Sequence, residues 1–147
     1  MLFDIPQRLE FTVPAGLNPF DKHFFLIREV PSNLVNLKTQ FGIEEGQALI
    51  IRPTQAIMTT QFQDLDLDFI DEVEISVFEE DPDADQIAFL TDQVPFNAAK
   101  NIVIIPFDTD FAHQLETGMV NYKVSIRLRA TTPSAFTSVI NLTYGAE

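Results

Sequence analysis

The sequence holds no cysteine, no tryptophan and only five glycines in 147 residues. Without Cys there is neither a disulfide framework nor a thiolate-ligated metal centre, and the absence is neutral on compartment. So few glycines leave no Gly-rich phosphate loop and no flexible linker, and no 20 to 50 residue repeat is visible. Basic residues are scarce as well: 9 Lys and Arg stand against 22 Asp and Glu, a formal net charge of −13. Such a chain repels nucleic acid and anionic lipid. No stretch approaches the roughly 20 apolar residues that span a bilayer. Residues 1–7 lack the basic-then-apolar pattern of an export signal. The expectation is a soluble protein without direct membrane insertion.

What is present is apolar and strand-forming. Hydrophobic residues make up 46% of the chain, with 14 Phe among them, enough to fill the core of one domain over residues 1–147. The apolar period is two. Val120, Tyr122, Val124, Ile126 and Leu128 fall on one face and Asn121, Lys123, Ser125, Arg127 and Arg129 on the other. Phe136, Ser138, Ile140, Leu142 and Tyr144 repeat this after the turn signal Thr131-Thr132-Pro133-Ser134, which predicts an antiparallel C-terminal hairpin. Leu9, Phe11 and Val13 alternate, as do Val73, Ile75 and Val77. Further strands are expected at Lys22 to Val30, Val35 to Phe41, Ala56 to Phe62, Gln86 to Thr91 and Asn101 to Ile105. The consecutive apolar residues of Phe24 to Ile27 and Ile102 to Ile105 fit strands covered on both faces. One short helix is predicted from an N-cap near Asp108 or Thr109 through Leu115 to Gly118, with single helical turns at Gly42 to Gln47 and Leu67 to Ile70. The pattern as a whole reads as all-β: an antiparallel immunoglobulin-like β-sandwich of about eight strands with one short connecting helix.

Acid is concentrated. Eleven of the 22 acidic residues lie from Asp64 to Asp85, in a stretch between Arg52 and Lys100 that has no Lys or Arg. The reading is a solvated acidic face, with a divalent-cation site as the functional alternative. Asp64, Asp66 and Asp68 share the i, i+2, i+4 spacing with Asp81, Asp83 and Asp85, but neither set completes an EF-hand. Pro82 keeps the second set in a loop, so Asp81, Asp83 and Asp85 are the calcium candidates, and calcium is the one cofactor expected. Catalytic constellations are missing. His23 and His113 are isolated, no nucleophile elbow surrounds a Ser, and no catalytic residue is assigned.

The elements Phe3-Asp4-Ile5-Pro6, Phe11-Thr12-Val13-Pro14-Ala15-Gly16, Phe69 to Val77, Gln86-Ile87-Ala88-Phe89 and Tyr122 to Leu128 follow one another in an order that resembles uncharacterised secreted or lipid-anchored β-sandwich proteins of Bacteroidota. That resemblance implies export, with a lipid anchor on a Cys at the first mature position of a precursor. This sequence has neither that Cys nor a signal, and the family supplies no catalytic residues to transfer. The function expected is therefore a non-enzymatic interaction or assembly module, extracellular or on the outer cell surface, that meets a protein partner or its own copies. A structural subunit of a filament or virion is the alternative, and a hydrolase using acidic residues the third reading. The contact element expected is residues 2–14, an edge strand carrying Leu9, Phe11 and Val13 between Pro6 and Pro14.

Overall fold

Alternating apolar positions fold into eight strands: β1 (Phe3–Val13), β2 (Lys22–Pro31), β3 (Ile51–Thr60), β4 (Ile70–Phe78), β5 (Gln86–Thr91), β6 (Asn101–Pro106), β7 (Met119–Leu128) and β8 (Phe136–Ala146). The structure, a computed structural model, describes residues 2–62, 65–96 and 100–147. All pairings are antiparallel, in the order β1-β8-β3-β6-β5-β4-β7-β2. The sheet bends around a single core until its two edge strands lie side by side. Phe11 of β1 stacks on Phe25 of β2 at 4.9 Å, and the Gln7 amide donates to the Pro31 carbonyl at 2.8 Å. The result is an all-β, nearly closed barrel with two four-stranded halves, β1-β8-β3-β6 and β5-β4-β7-β2.

The inward face of β7 is as the alternation predicts, with Val120, Tyr122, Val124, Ile126 and Leu128 all buried. The predicted C-terminal hairpin is not formed. β7 pairs with β2 and β4, while β8 pairs with β1 and β3. The connection 129–135 instead crosses between the halves, and Thr132 anchors it. The Thr132 hydroxyl donates to the Pro14 carbonyl at 2.9 Å and accepts from the Leu17 amide at 2.9 Å, while the Gly16 amide donates to the Thr132 carbonyl at 3.0 Å. Two crossovers, β1 to β2 and β7 to β8, are thus tied at one buried side chain.

Two helices are present, not one. α1 (Leu34–Gln40) forms where Val35 to Phe41 was expected as a strand. Leu34, Leu37 and Phe41 also fit a helical spacing, and that period wins: Leu34 is buried, Val35 is exposed, and Phe41 stacks on Phe3 at 5.3 Å. α2 (Ala112–Glu116) matches the predicted helix, but its start is fixed by Asp110, whose carboxylate accepts from the amides of Ala112 (2.9 Å) and Ile51 (3.0 Å). The helix ends at Gly118, whose φ of 91° suits glycine and whose amide donates to the Leu115 carbonyl. The expected turn at Leu67 to Ile70 is present, closed by the Ile70 amide on the Leu67 carbonyl at 3.2 Å.

Strands expected to be covered on both faces are covered on one. In β2 the side chains of Phe24 and Leu26 are exposed, and in β6 those of Val103 and Ile105 are. The single sheet curls around its own core, so each strand has only one inward face.

Candidate functional site

The acidic stretch acquires its counter-charges from other strands. β4 turns Glu72 and Glu74 outward beside β7, which turns Lys123 and Arg127 outward, with Lys22 of β2 reaching in. Lys22 Nζ lies 3.5 Å from Glu72 and 3.9 Å from Glu74, Arg127 Nε lies 3.6 Å from Glu72, and Arg129 Nη2 lies 3.4 Å from Asp71. The signal was legible in the sequence as the basic face of β7, but only the pairing of β4 with β7 brings the two together.

The calcium candidates sit on the β4–β5 connection. Asp85 is claimed by Lys123, whose ammonium lies 3.2 Å from its carboxylate and also donates to the Pro82 carbonyl at 2.8 Å. Burial pushes the Asp85 carboxyl up, but hydrogen bonds from Ser76 and Lys123 and the Lys123 charge outweigh it and hold the group below its ordinary value. Asp81 is turned back on its own loop and accepts from the Asp83 amide at 3.0 Å. Among the described residues no group of three or more acidic or His side chains is arranged around a metal position. A cation at Asp85 would have to displace Lys123. Asp64 lies outside the described residues.

Leu9, Phe11 and Val13 point into the core and are almost fully buried. β1 is paired with β8 along its whole length and flanked by β2 on its other edge. That edge is also guarded: Pro6 withholds a donor in the middle of β1, and β2 carries a bulge at Glu29, whose φ is 58°. The segment therefore offers a partner its outer polar face and not the three apolar side chains.

His23 and His113 lie on opposite ends of the barrel. His23 Nε2 contacts the Asn18 carbonyl at 2.8 Å, and His113 Nε2 lies 3.2 Å from Glu79 on the surface. The grooves are shallow. The largest, about 470 Å³, runs between α1 and α2 past Leu34, Val35, Leu115 and Met119. Another, about 360 Å³, passes Glu79, Glu80, Asp81 and Asp85.

The exposed aromatic side chains form a clearer pattern. Phe20 (85% exposed), Phe62 (78%) and Phe96 (83%) project from the β1–β2, β3–β4 and β5–β6 connections. All three connections leave the same end of the barrel, because they join the ends of β1, β3 and β5 to the starts of β2, β4 and β6. The fourth connection at that end, after β7, supplies Arg129, whose guanidinium sits 4.3 Å over the Phe96 ring and donates to the Val94 carbonyl. Exposed Asp21, Asp66, Asp68 and Asp92 stand on the same connections. Sequence reasoning had noted Phe20 within an apolar run and passed over Phe62 and Phe96. The available signal was an aromatic residue among polar ones, Gln61-Phe62-Gln63 and Pro95-Phe96-Asn97, outside any alternating run. No family model, curated protein or solved structure matches the chain.

Proposed function

We propose that the chain is a non-catalytic interaction module, extracellular or on the outer cell surface, that holds a protein partner at the end of an immunoglobulin-like β-scaffold. The observation that carries this reading is the set of Phe20, Phe62 and Phe96 on three of the four connections at one end. Exposed aromatic side chains lose favourable burial unless something covers them, and aromatic residues are enriched at contact surfaces. The flanking Asp21, Asp66, Asp68 and Asp92 favour a partner that brings basic groups together with apolar ones. The two four-stranded halves, with most connections crossing between them, support the immunoglobulin-like description of the scaffold.

The test compares capture from an extract of the native host by the wild-type chain and by a Phe20→Ser, Phe62→Ser, Phe96→Ser triple variant. The variant should melt at the wild-type temperature, since none of the three rings is buried. A partner retained by the wild type and lost by the variant is the expected result. Equal retention by both would refute the assignment of the loop end.

A further inference from the structure

The apolar run of β6 has two faces, and the fold covers one. Ile102 and Ile104 are in the core, whereas Val103 and Ile105 are each 57% exposed on the outside of the barrel. The strand register adds neighbours on that side. Val103 lies opposite Ile57 of β3, and Ile105 lies opposite Leu90 of β5. Four aliphatic side chains from three adjacent strands therefore make one strip across the sheet. Around it on the same face stand Gln55, Thr59, Asn101 and Asn141, all uncharged. The ionisable groups that bound the strip are each satisfied within the chain. Glu74, next across the register from Leu90, meets Lys22 at 3.9 Å; Arg8, beyond Asn141, meets Glu10 at 2.7 Å; Lys100, at the foot of β6, meets Asp66 at 3.7 Å.

We propose that this strip is the contact through which two copies of the chain pair about a two-fold axis. The occupant follows from charge. A chain with net charge −13 opposes its own association wherever acidic surface meets acidic surface. A flat aliphatic strip with internally neutralised borders is where that opposition is least. A basic partner gains nothing there, because the strip has no unpaired charge to complement. A second copy brings an identical strip, and a two-fold contact requires a surface that matches itself. The sheet beneath also has a weak joint that a covering layer would hold. β5 and β6 share only two register pairs, and above them the Thr91 hydroxyl replaces the ladder, donating to the Val103 carbonyl at 3.1 Å and accepting from the Ile105 amide at 3.2 Å. This contact is on a different face from the loop end, so the two assignments stand or fall separately.

Sedimentation velocity on the whole chain tests it. The expected mass at high concentration is twice the 16.6 kDa of the chain. Val103→Lys places two like charges across the axis and should weaken pairing by about tenfold or more. Val103→Thr keeps the β-branched shape and should weaken it less, which covers the case in which the lysine variant misfolds. Phe24→Ser, on the outside of β2, should leave pairing unchanged. Added salt should strengthen pairing, because it screens the repulsion between copies. A wild-type monomer at every concentration, a dimer indifferent to both Val103 variants, or a dimer that dissociates as salt rises would each overturn the proposal.

Discussion

At the centre of the barrel the fold commits three polar side chains to one another. The Tyr122 and Tyr144 hydroxyls meet at 3.0 Å, Tyr122 donates to Gln7 Oε1 at 3.1 Å, and the Gln7 amide reaches the Pro31 carbonyl, so β1, β2, β7 and β8 share one buried network. Burial pushes both phenols well above their ordinary value; Tyr144 raises Tyr122 further, while the hydrogen bond from Tyr122 offsets part of the rise at Tyr144. The sign for stability follows. Both groups stay protonated in the folded chain, whereas in the unfolded chain they ionise near pH 10. Above about pH 10 the unfolded state therefore holds fewer protons, and stability falls as pH rises, by up to about 1.4 kcal/mol per pH unit for each phenol. Tyr122→Phe should remove one of the two contributions and make the alkaline fall shallower. At neutral pH the same variant should cost about 1–3 kcal/mol, since it leaves Gln7 Oε1 and one Tyr144 hydrogen bond unmet. Denaturant unfolding of both proteins between pH 7 and 11 checks the two statements together. An equally steep fall in the variant would mean that the phenols are not the buried pair.

Among the elements, alternation marked which side of each strand faces inward but not which strands pair. The inward phase of β7 was legible residue by residue, because Val120 to Leu128 puts every apolar side chain on one face. Its neighbours were not. Thr131-Thr132-Pro133-Ser134 has the composition of a tight turn, yet the residues from Arg129 to Ala135 are enough to pass from one half of the barrel to the other. β7 and β8 then face each other across the core instead of pairing edge to edge. A similar ambiguity hid α1, where Leu37 and Phe41 satisfy both a period of two and a helical one, and only the burial of Leu34 against the exposure of Val35 separates them. It also hid the strip on β6, because an apolar run states that both faces avoid water without stating what covers the second. Thr132 shows how the crossover is held, and it carries the next prediction. Thr132→Val keeps the shape and removes both side-chain hydrogen bonds, leaving the Pro14 carbonyl and the Leu17 amide without their partner. It should destabilise the chain by about 1–3 kcal/mol. Thr131→Val, at an exposed neighbour, should change stability by no more than about 0.5 kcal/mol. Thermal or urea unfolding of the pair decides it, and equal effects would mean that the two crossovers are not joined at Thr132.

Over the whole molecule the surplus of acid and the pairing of acid act at different ranges. Glu72, Glu74, Asp71 and Asp85 are each within 4 Å of a basic group from β2 or β7, and exposed pairs of this kind contribute about 0–1 kcal/mol each. The remaining surplus, a net −13 on 147 residues, repels itself over the full surface. Salt screens both effects. The unpaired charges, being farther apart, lose most of their interaction once the screening length falls to about 10 Å near 0.1 M, whereas pairs in contact lose less. Net screening therefore removes more repulsion than attraction. The melting temperature should rise as sodium chloride increases from about 10 mM to about 300 mM. Lys123→Ala should lower stability and enlarge that rise, because it leaves the Asp85 carboxylate without its counter-charge beside an acidic turn. Differential scanning calorimetry of the two proteins at matched pH gives both quantities. A melting temperature that falls with salt would mean that the paired charges on β4 and β7, and not the surplus, dominate the electrostatics of the fold.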